Sequence, residues 1–138
     1  MGGGDARVIQ FAKDIQKILR NAAGVPVYER EAPRDTDETL STEPPFVVYT
    51  CDMRAPQDEG GEFTADLLID IWSLGGWASC YAIAESLDAA LDATAYSTES
   101  GTICADRNGL VFNREPRDDN DPRIRRMSAQ YLIRFNKR

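Results

Sequence analysis

Residues 62–94, EFTADLLIDIWSLGGWASCYAIAESLDAALDAT, contain two different hydrophobic repeats, one on each side of a glycine pair. From Phe63 to Ile71 every second residue is apolar, which is the repeat of a β-strand with one buried face. After Gly75 and Gly76 apolar residues recur at steps of three and four, which is the repeat of an amphipathic helix. The helical residues are Cys80, Ile83, Ala84, Leu87, Ala90 and Leu91. This stretch therefore predicts a strand, a glycine turn and a helix, which together form the centre of an α+β domain.

The rest of the chain supplies one more helix and several strands. An apolar helical stripe from Val8 to Ala22 predicts an N-terminal helix that stops at Gly24. Strands are predicted at 25–28, 46–51, 103–104, 110–114 and 123–136, and loops at 29–45, 55–61, 106–109 and 115–123. All connections except the crossover at 75–109 look like hairpins. We therefore expect one domain over residues 1–138, with a mostly antiparallel sheet and both helices packed on one face.

Charge is distributed unevenly along the chain, which has a formal net charge of −7. Residues 28–62 contain 10 acidic and 3 basic residues, and residues 63–104 contain 6 acidic residues and no basic one. Residues 105–138 contain 9 basic and 5 acidic residues. Opposite charges on different parts of one chain suit head-to-tail contacts between copies, although the same residues can simply solvate the surface. The net negative charge disfavours binding to nucleic-acid phosphates.

Residues for common catalytic and metal sites are scarce in this sequence. It has no histidine, which excludes His-based triads and imidazole metal sites. Cys51, Cys80 and Cys104 are far apart, so we expect reduced thiols that pack as small apolar side chains. Asp66 and Asp70 are about 13 Å apart at strand spacing, which is too far to share a metal ion. No cofactor motif, signal segment or membrane-spanning run is recognised, and we expect neither a cofactor nor a membrane partner.

Several apolar and basic residues outside the predicted core stripes are the candidates for contacts with other chains. They are Leu68, Trp72, Trp77, Arg123, Arg125, Arg126 and Arg134. Leu68 and Trp72 share the strand face opposite the core, and strand alternation places Arg125 and Arg126 on opposite faces of the last strand. Either another chain covers the apolar members, or the 29–45 loop folds over them.

In order along the chain, these elements resemble those of the tail terminator, or tail completion, proteins of long-tailed bacteriophages and phage-like particles. The resemblance covers roughly residues 6–136 and follows a pattern of elements rather than a catalytic motif. The matching pieces are the helix ending near Leu19, Val27-Tyr28, Pro45–Tyr49, Phe63–Ser73, the helix Ala78–Leu91, the 107–114 region and the closing strand 125–135.

The resemblance implies a structural virion protein, not an enzyme, which forms a homohexameric ring at the head-proximal end of the tail tube. Such a ring stops polymerisation of the major tail tube protein and offers a surface to a head–tail connector or stopper protein. Double-stranded DNA passes through the ring without being read, and an acidic channel would keep it from adhering. The resemblance also implies assembly in the host cytoplasm, with the long loops contacting the neighbouring virion proteins.

Two other interpretations stay open from the sequence alone. One is a different neck protein of similar size, such as a head–tail connector or stopper. The other is a small hydrolase or ligand-binding α+β domain, which would require a pocket with convergent polar groups. The scarcity of catalytic residue types argues against the second interpretation.

Overall fold

The computed structural model describes residues 3–32, 43–54, 62–98, 101–107, 113–114 and 123–137, and this part of the chain forms two helices and seven strands. The helices are α1 (Gly3–Ala23) and α2 (Trp77–Leu91). The strands are β1 (Val27–Glu29), β2 (Phe46–Arg54), β3 (Glu62–Leu74), β4 (Thr94–Ser97), β5 (Gly101–Arg107), β6 (Asn113–Arg114) and β7 (Ile124–Lys137).

The strands form a single sheet in the order β1-β2-β3-β7-β5-β4, and β6 pairs with β7 where β5 ends. Every pairing is antiparallel except that of β1 with β2. The longest pairing joins β3 to β7 from Glu62–Asn136 to Leu74–Ile124, so these two strands are the centre of the sheet. The α+β class and the mostly antiparallel sheet predicted from sequence are confirmed.

Both helices pack on the same face of the sheet, as predicted. Alternate residues of β3 and β7 face the helices, because side chains along a strand point to opposite faces in turn. Phe11 of α1 packs edge-on against Phe63 and Phe135, with ring centroids 5.1 and 5.3 Å away. Each Leu, Ile or Phe buried in this layer contributes about 1.5–3 kcal/mol relative to exposure. We call the side of the sheet away from the helices the open face; it carries the even-numbered residues of β2, β3 and β7.

Three predictions about connections were wrong or incomplete. β1 and β2 are parallel and cannot be joined by a hairpin, because a parallel pair needs a long connection that returns to the same end. Strand β4 was not predicted, since its short TAYS sequence has no apolar alternation. Asp106 and Arg107, predicted in a turn, belong to β5. Most of the 29–45 loop, the 55–61 loop and residues 115–122 lie outside the described residues.

Candidate functional site

The turn between β3 and α2 lies at one end of the central strand pair, where β3 ends and β7 begins. Gly75 has φ +86° and Gly76 has φ +153°, conformations that favour glycine. The Gly75 amide donates a 3.1 Å hydrogen bond to the Arg123 carbonyl oxygen, which fastens the turn to the start of β7. The buried Ser73 hydroxyl donates to the Gly76 carbonyl oxygen at 3.2 Å. The turn therefore fixes Trp72, before it, and Trp77, after it, beside the first arginines of β7.

Trp72 lies on the open face inside a small apolar cluster. Its ring stacks on the buried Phe46 with centroids 5.3 Å apart, and the Arg126 guanidinium lies 4.4 Å from its centroid, within the range of a cation–π contact. Asp70 is 4.0 Å from the same guanidinium. Ala32, from the first part of the 29–45 loop, is buried in this cluster. Trp72 therefore packs against a cluster of its own chain that includes one residue of this loop, and it stays partly exposed.

Trp77 and Arg125 form a second aromatic–arginine pair on the opposite side of the sheet. The Arg125 guanidinium lies 6.0 Å from the Trp77 ring centroid. Trp77 is half-buried and packs against the main core as the first residue of α2. As predicted, alternation along β7 directs Arg125 and Arg126 to opposite faces. We call Trp72, Trp77, Arg123, Arg125 and Arg126 together the arginine–tryptophan end of the sheet.

The two remaining predicted residues lie elsewhere. Leu68, at the middle of β3, keeps 37 % of its surface exposed on the open face. Arg134 lies toward the far end of β7, eight residues or about 26 Å along the strand from Arg126. It donates a 2.9 Å hydrogen bond to Asp106. The predicted contact residues therefore do not form one cluster: five lie at one end of the sheet, one at its centre and one near the other end.

A buried polar network on the helix side was missed by the sequence reasoning. Asp88 of α2 is only 9 % exposed and accepts hydrogen bonds from Arg107 Nε at 3.0 Å and from the Tyr131 hydroxyl at 2.8 Å. A second Arg107 nitrogen also donates to Asp88, and Asp92 lies 3.5 Å from Arg107 Nε. The signal in the sequence was an acidic residue between Ala84 and Leu91 on the apolar helical face.

The network changes the ionisation of its members in the directions that charge and burial require. The hydrogen bonds from Arg107 hold the pKa of Asp88 below its ordinary value, against the opposing effect of burial. Burial, and then the hydrogen bond to Asp88, raise the pKa of Tyr131. Asp88 is therefore a carboxylate held charged between two strands and a helix, an arrangement that fixes α2 on the sheet.

The thiols are placed for packing rather than chemistry. Cys80 is fully buried, with Sγ 3.0 Å from the Ser73 hydroxyl, and burial raises the pKa of its thiol. Burial also raises the pKa of Cys51 to about 12. A thiol with a raised pKa is a poor nucleophile at neutral pH. Among the residues that the structure describes, no group of three or more His, Cys, Asp or Glu side chains could hold a metal ion. Within the same residues, neither helix combines the length and the apolar character required to span a bilayer.

Comparison with known proteins found a likeness in structure only. No protein-family model matches the chain, and no curated protein matches it either. Among solved structures, a chain from the virion of a native gene transfer agent particle matches with a TM-score of 0.58 and 19 % sequence identity. The alignment covers 86 % of this chain and 84 % of the matched chain. The two chains therefore share a fold over most of their lengths.

Proposed function

We propose that this chain is a structural, non-enzymatic virion protein of a phage-like particle, and more narrowly its tail terminator. In this role six copies form a ring on the head-proximal end of the tail tube and end polymerisation of the major tail tube protein. The ring then offers its other side to a head–tail connector or stopper protein, and double-stranded DNA passes through its centre. Assembly takes place in the host cytoplasm, and the ring stays in the neck of the virion.

The observation that carries the proposal is the extent of the structural match. More than four-fifths of each chain is aligned, so the likeness extends beyond a common helix-on-sheet unit to nearly the whole subunit. The helices and long strands of this chain occur in the order on which its resemblance to tail terminators is based. A fold can host many functions, so the proposal needs a test in particles.

The arginine–tryptophan end suits a contact between ring subunits. Aromatic and arginine side chains are the types most enriched at the energetic centres of protein interfaces. Glu85, exposed on α2, is an acidic residue that the same chain offers to the arginines of a neighbour. Because the exposed face of α2 around Glu85 and the arginine–tryptophan end are different surfaces, a contact between them is head-to-tail and can close into a ring.

Electron microscopy of particles made without this protein tests the proposal directly. We expect tail tubes longer than normal, because nothing stops their growth, and we expect these tails to remain detached from filled heads. Supplying the protein in trans should restore both tail length and joining.

The other outcomes separate the alternatives. Tails of normal length that fail to join heads would point to a connector or stopper function instead. Particles with normal tails joined to heads would overturn a function in the neck altogether.

A further inference from the structure

One edge of the sheet is only partly covered within the described chain. β1 pairs with Val47, Val48 and Tyr49 of β2 and with none of the residues after them. The pairing ends because Arg30, at φ +71°, turns the chain away directly after its amide donates to the Tyr49 carbonyl oxygen at 2.7 Å. Among the described residues, no strand pairs with this side of β2 beyond Tyr49.

The backbone groups along this edge can be assigned from the bonds that β1 makes. The Val47 amide donates to the Pro26 carbonyl oxygen, and the Tyr49 carbonyl oxygen accepts from Arg30, so the odd-numbered residues of β2 direct their backbone groups outward. By alternation, Cys51 and Met53 also direct their N–H and C=O groups to this edge. We call the stretch 50–54 the β2 edge; it is a row of groups ready to pair with another strand.

A cavity of about 150 Å³ lies between α1 and the β2 edge. Its lining comes from α1, the end of β1 and the β2 edge: Phe11, Ala12, Ile15, Glu29, Arg30, Tyr49, Cys51 and Met53. Tyr49 is only 2 % exposed, and burial, together with the nearby Glu29 carboxylate, raises the pKa of its hydroxyl to about 12. Met53 is 40 % exposed beside it. An exposed Met beside a row of edge backbone groups is a surface that a further strand at this position would cover.

The opposite edge of the sheet has a matching short strand. The Thr98 amide donates to the Gly101 carbonyl oxygen at 2.7 Å. By alternation, Thr94 and Tyr96 also direct their backbone groups to β5, whereas Ala95 directs its N–H and C=O groups to the outer edge of the sheet. The side chains of Thr94 and Tyr96 face α2, where both hydroxyls donate to the Ala90 carbonyl oxygen. β4 carries no charged residue that would blunt this edge.

We infer that β4 of one copy pairs with the β2 edge of the next copy, which extends the sheet from subunit to subunit. This inference deepens the proposed ring and rests on it. The strand order gives β4 and β2 the same direction, so the pairing is parallel and is compatible with rotation about an axis along the strands. It also brings the helix side of β4, with Thr94 and Tyr96, to the cavity that Glu29 and Tyr49 line. The two edges are different surfaces, so the contact is head-to-tail and can close.

Ala95→Pro tests the pairing, because proline removes the outward N–H of β4 and leaves the β4–β5 hydrogen bonds in place. We expect association to weaken by about tenfold per contact, measured by sedimentation velocity. Ala95→Thr keeps the N–H and is the matched control, expected to assemble like the unaltered chain. Unchanged circular dichroism of Ala95→Pro would establish that its subunits remain folded.

Amide exchange provides a second measurement that needs no variant. The amides of Cys51, Met53 and Ala95 should exchange slowly in assembled rings and quickly in dissociated subunits. Fast exchange of these amides in the ring would overturn the inference, and so would rings that persist with Ala95→Pro. An unaltered chain that stays monomeric at the concentrations of an NMR sample would overturn it as well.

This test and the particle test fail independently. Overlong tails in the absence of the protein, together with Ala95→Pro rings of normal stability, would retain the terminator function and reject the edge pairing. Normal particles, together with dissociated Ala95→Pro subunits, would reject the function and retain the pairing.

Discussion

Asp88 of α2 brings a carboxylate into the layer between this helix and the sheet. Its hydrogen-bond partners are Arg107 of β5 and Tyr131 of β7. A buried charge is tolerated only where hydrogen bonds replace the lost water, and this site provides them. The network therefore holds α2 in one position on the sheet, whereas the apolar contacts around it would allow small slips.

Replacing Asp88 with Asn should destabilise the fold by about 1–3 kcal/mol, because Arg107 then loses its nearer carboxylate and the Tyr131 hydroxyl loses a charged acceptor. Urea unfolding followed by circular dichroism measures the effect. Asp92→Asn is the control: this side chain is 37 % exposed and 3.5 Å from Arg107 Nε, so its loss should cost less than about 0.5 kcal/mol. Equal costs for the two variants would contradict the network.

The contribution of Asp88 should also depend on pH. Its folded-state pKa lies below the ordinary 3.8, so the stabilisation is fully present above that value and is lost as the pH falls through the lowered folded-state pKa. The difference in unfolding free energy between the unaltered chain and Asp88→Asn should therefore be constant from pH 7 to about 5 and shrink below pH 3.8. A difference that stays constant to pH 2 would assign the cost to packing.

Trp72 and Leu68 share a face of β3 but should respond differently to truncation. Trp72→Ala removes the Phe46 stacking and the Arg126 contact, and should lower the stability of the subunit by roughly 2 kcal/mol. Leu68→Ala, at an exposed site, should change stability by less than about 0.5 kcal/mol. Thermal unfolding of dissociated subunits measures both. An equal loss for the two variants would show that Leu68 is covered within the chain.

The faces of these residues were predictable from sequence, and their surroundings were not. Alternation along β3 assigns Leu68 and Trp72 to the open face, because it depends only on neighbours in the chain. The cluster against which Trp72 packs includes Ala32, forty positions earlier in a loop without periodicity. The Asp88 network likewise joins residues 19 and 43 positions apart.

At the scale of elements, the glycine turn between β3 and α2 is the connection with the strongest backbone requirement. Gly76 has φ +153° and ψ 176°, a region open essentially to glycine alone. A Cβ added there would meet nothing within 4 Å, so the cost of substitution lies in the backbone and not in a clash. The backbone conformation of the turn therefore requires glycine at position 76. The change from a strand repeat to a helix repeat in the sequence predicted the position of this turn correctly.

Gly76→Ala should destabilise the subunit by about 1–3 kcal/mol through backbone strain. Ala93→Gly is the matched control with the opposite sign: Ala93 follows α2 at φ +53°, where glycine relieves strain, and the variant should be neutral or up to about 1 kcal/mol more stable. Chemical denaturation of both variants tests this pair. A neutral Gly76→Ala would mean that the turn relaxes without cost.

The long elements were predictable because each repeats its pattern over many residues, as β3, α2 and β7 do. The short edge strands were not. β1 pairs with β2 in parallel over three residues, and no local feature distinguishes this from a hairpin. β4 is a four-residue strand held by β5 alone. β1, which leaves the β2 edge open, and β4, which pairs with that edge in the inferred contact, thus belong to the part of the fold that local patterns specify least.

At the scale of the whole molecule, charge reversal tests the proposed head-to-tail contact. The double change Arg123→Glu and Arg125→Glu should weaken association, and the loss should be largest at low salt because salt screens the attraction to the acidic neighbour. Light scattering across a salt series measures it. The pair Lys13→Glu and Lys17→Glu, on exposed positions of α1, changes the net charge equally and should leave assembly unaltered. Equal effects of the two pairs would attribute the loss to net charge alone.

Three arginines of the open face each lie within 4.0 Å of an aspartate of the same subunit: Arg54 with Asp66, Arg126 with Asp70, and Arg134 with Asp106. Within each pair the positive and the negative charge largely cancel at a distance, so these arginines exert little attraction beyond a few ångströms. These pairs therefore contribute little to long-range attraction between the open face and any partner in the particle. Binding of a partner to this face depends mainly on shape complementarity and on the neutral residues around Leu68. Contacts of this face should then withstand the high-salt washes that separate charge-mediated partners, which offers a biochemical way to sort the neighbours of this subunit by the surface that each one binds.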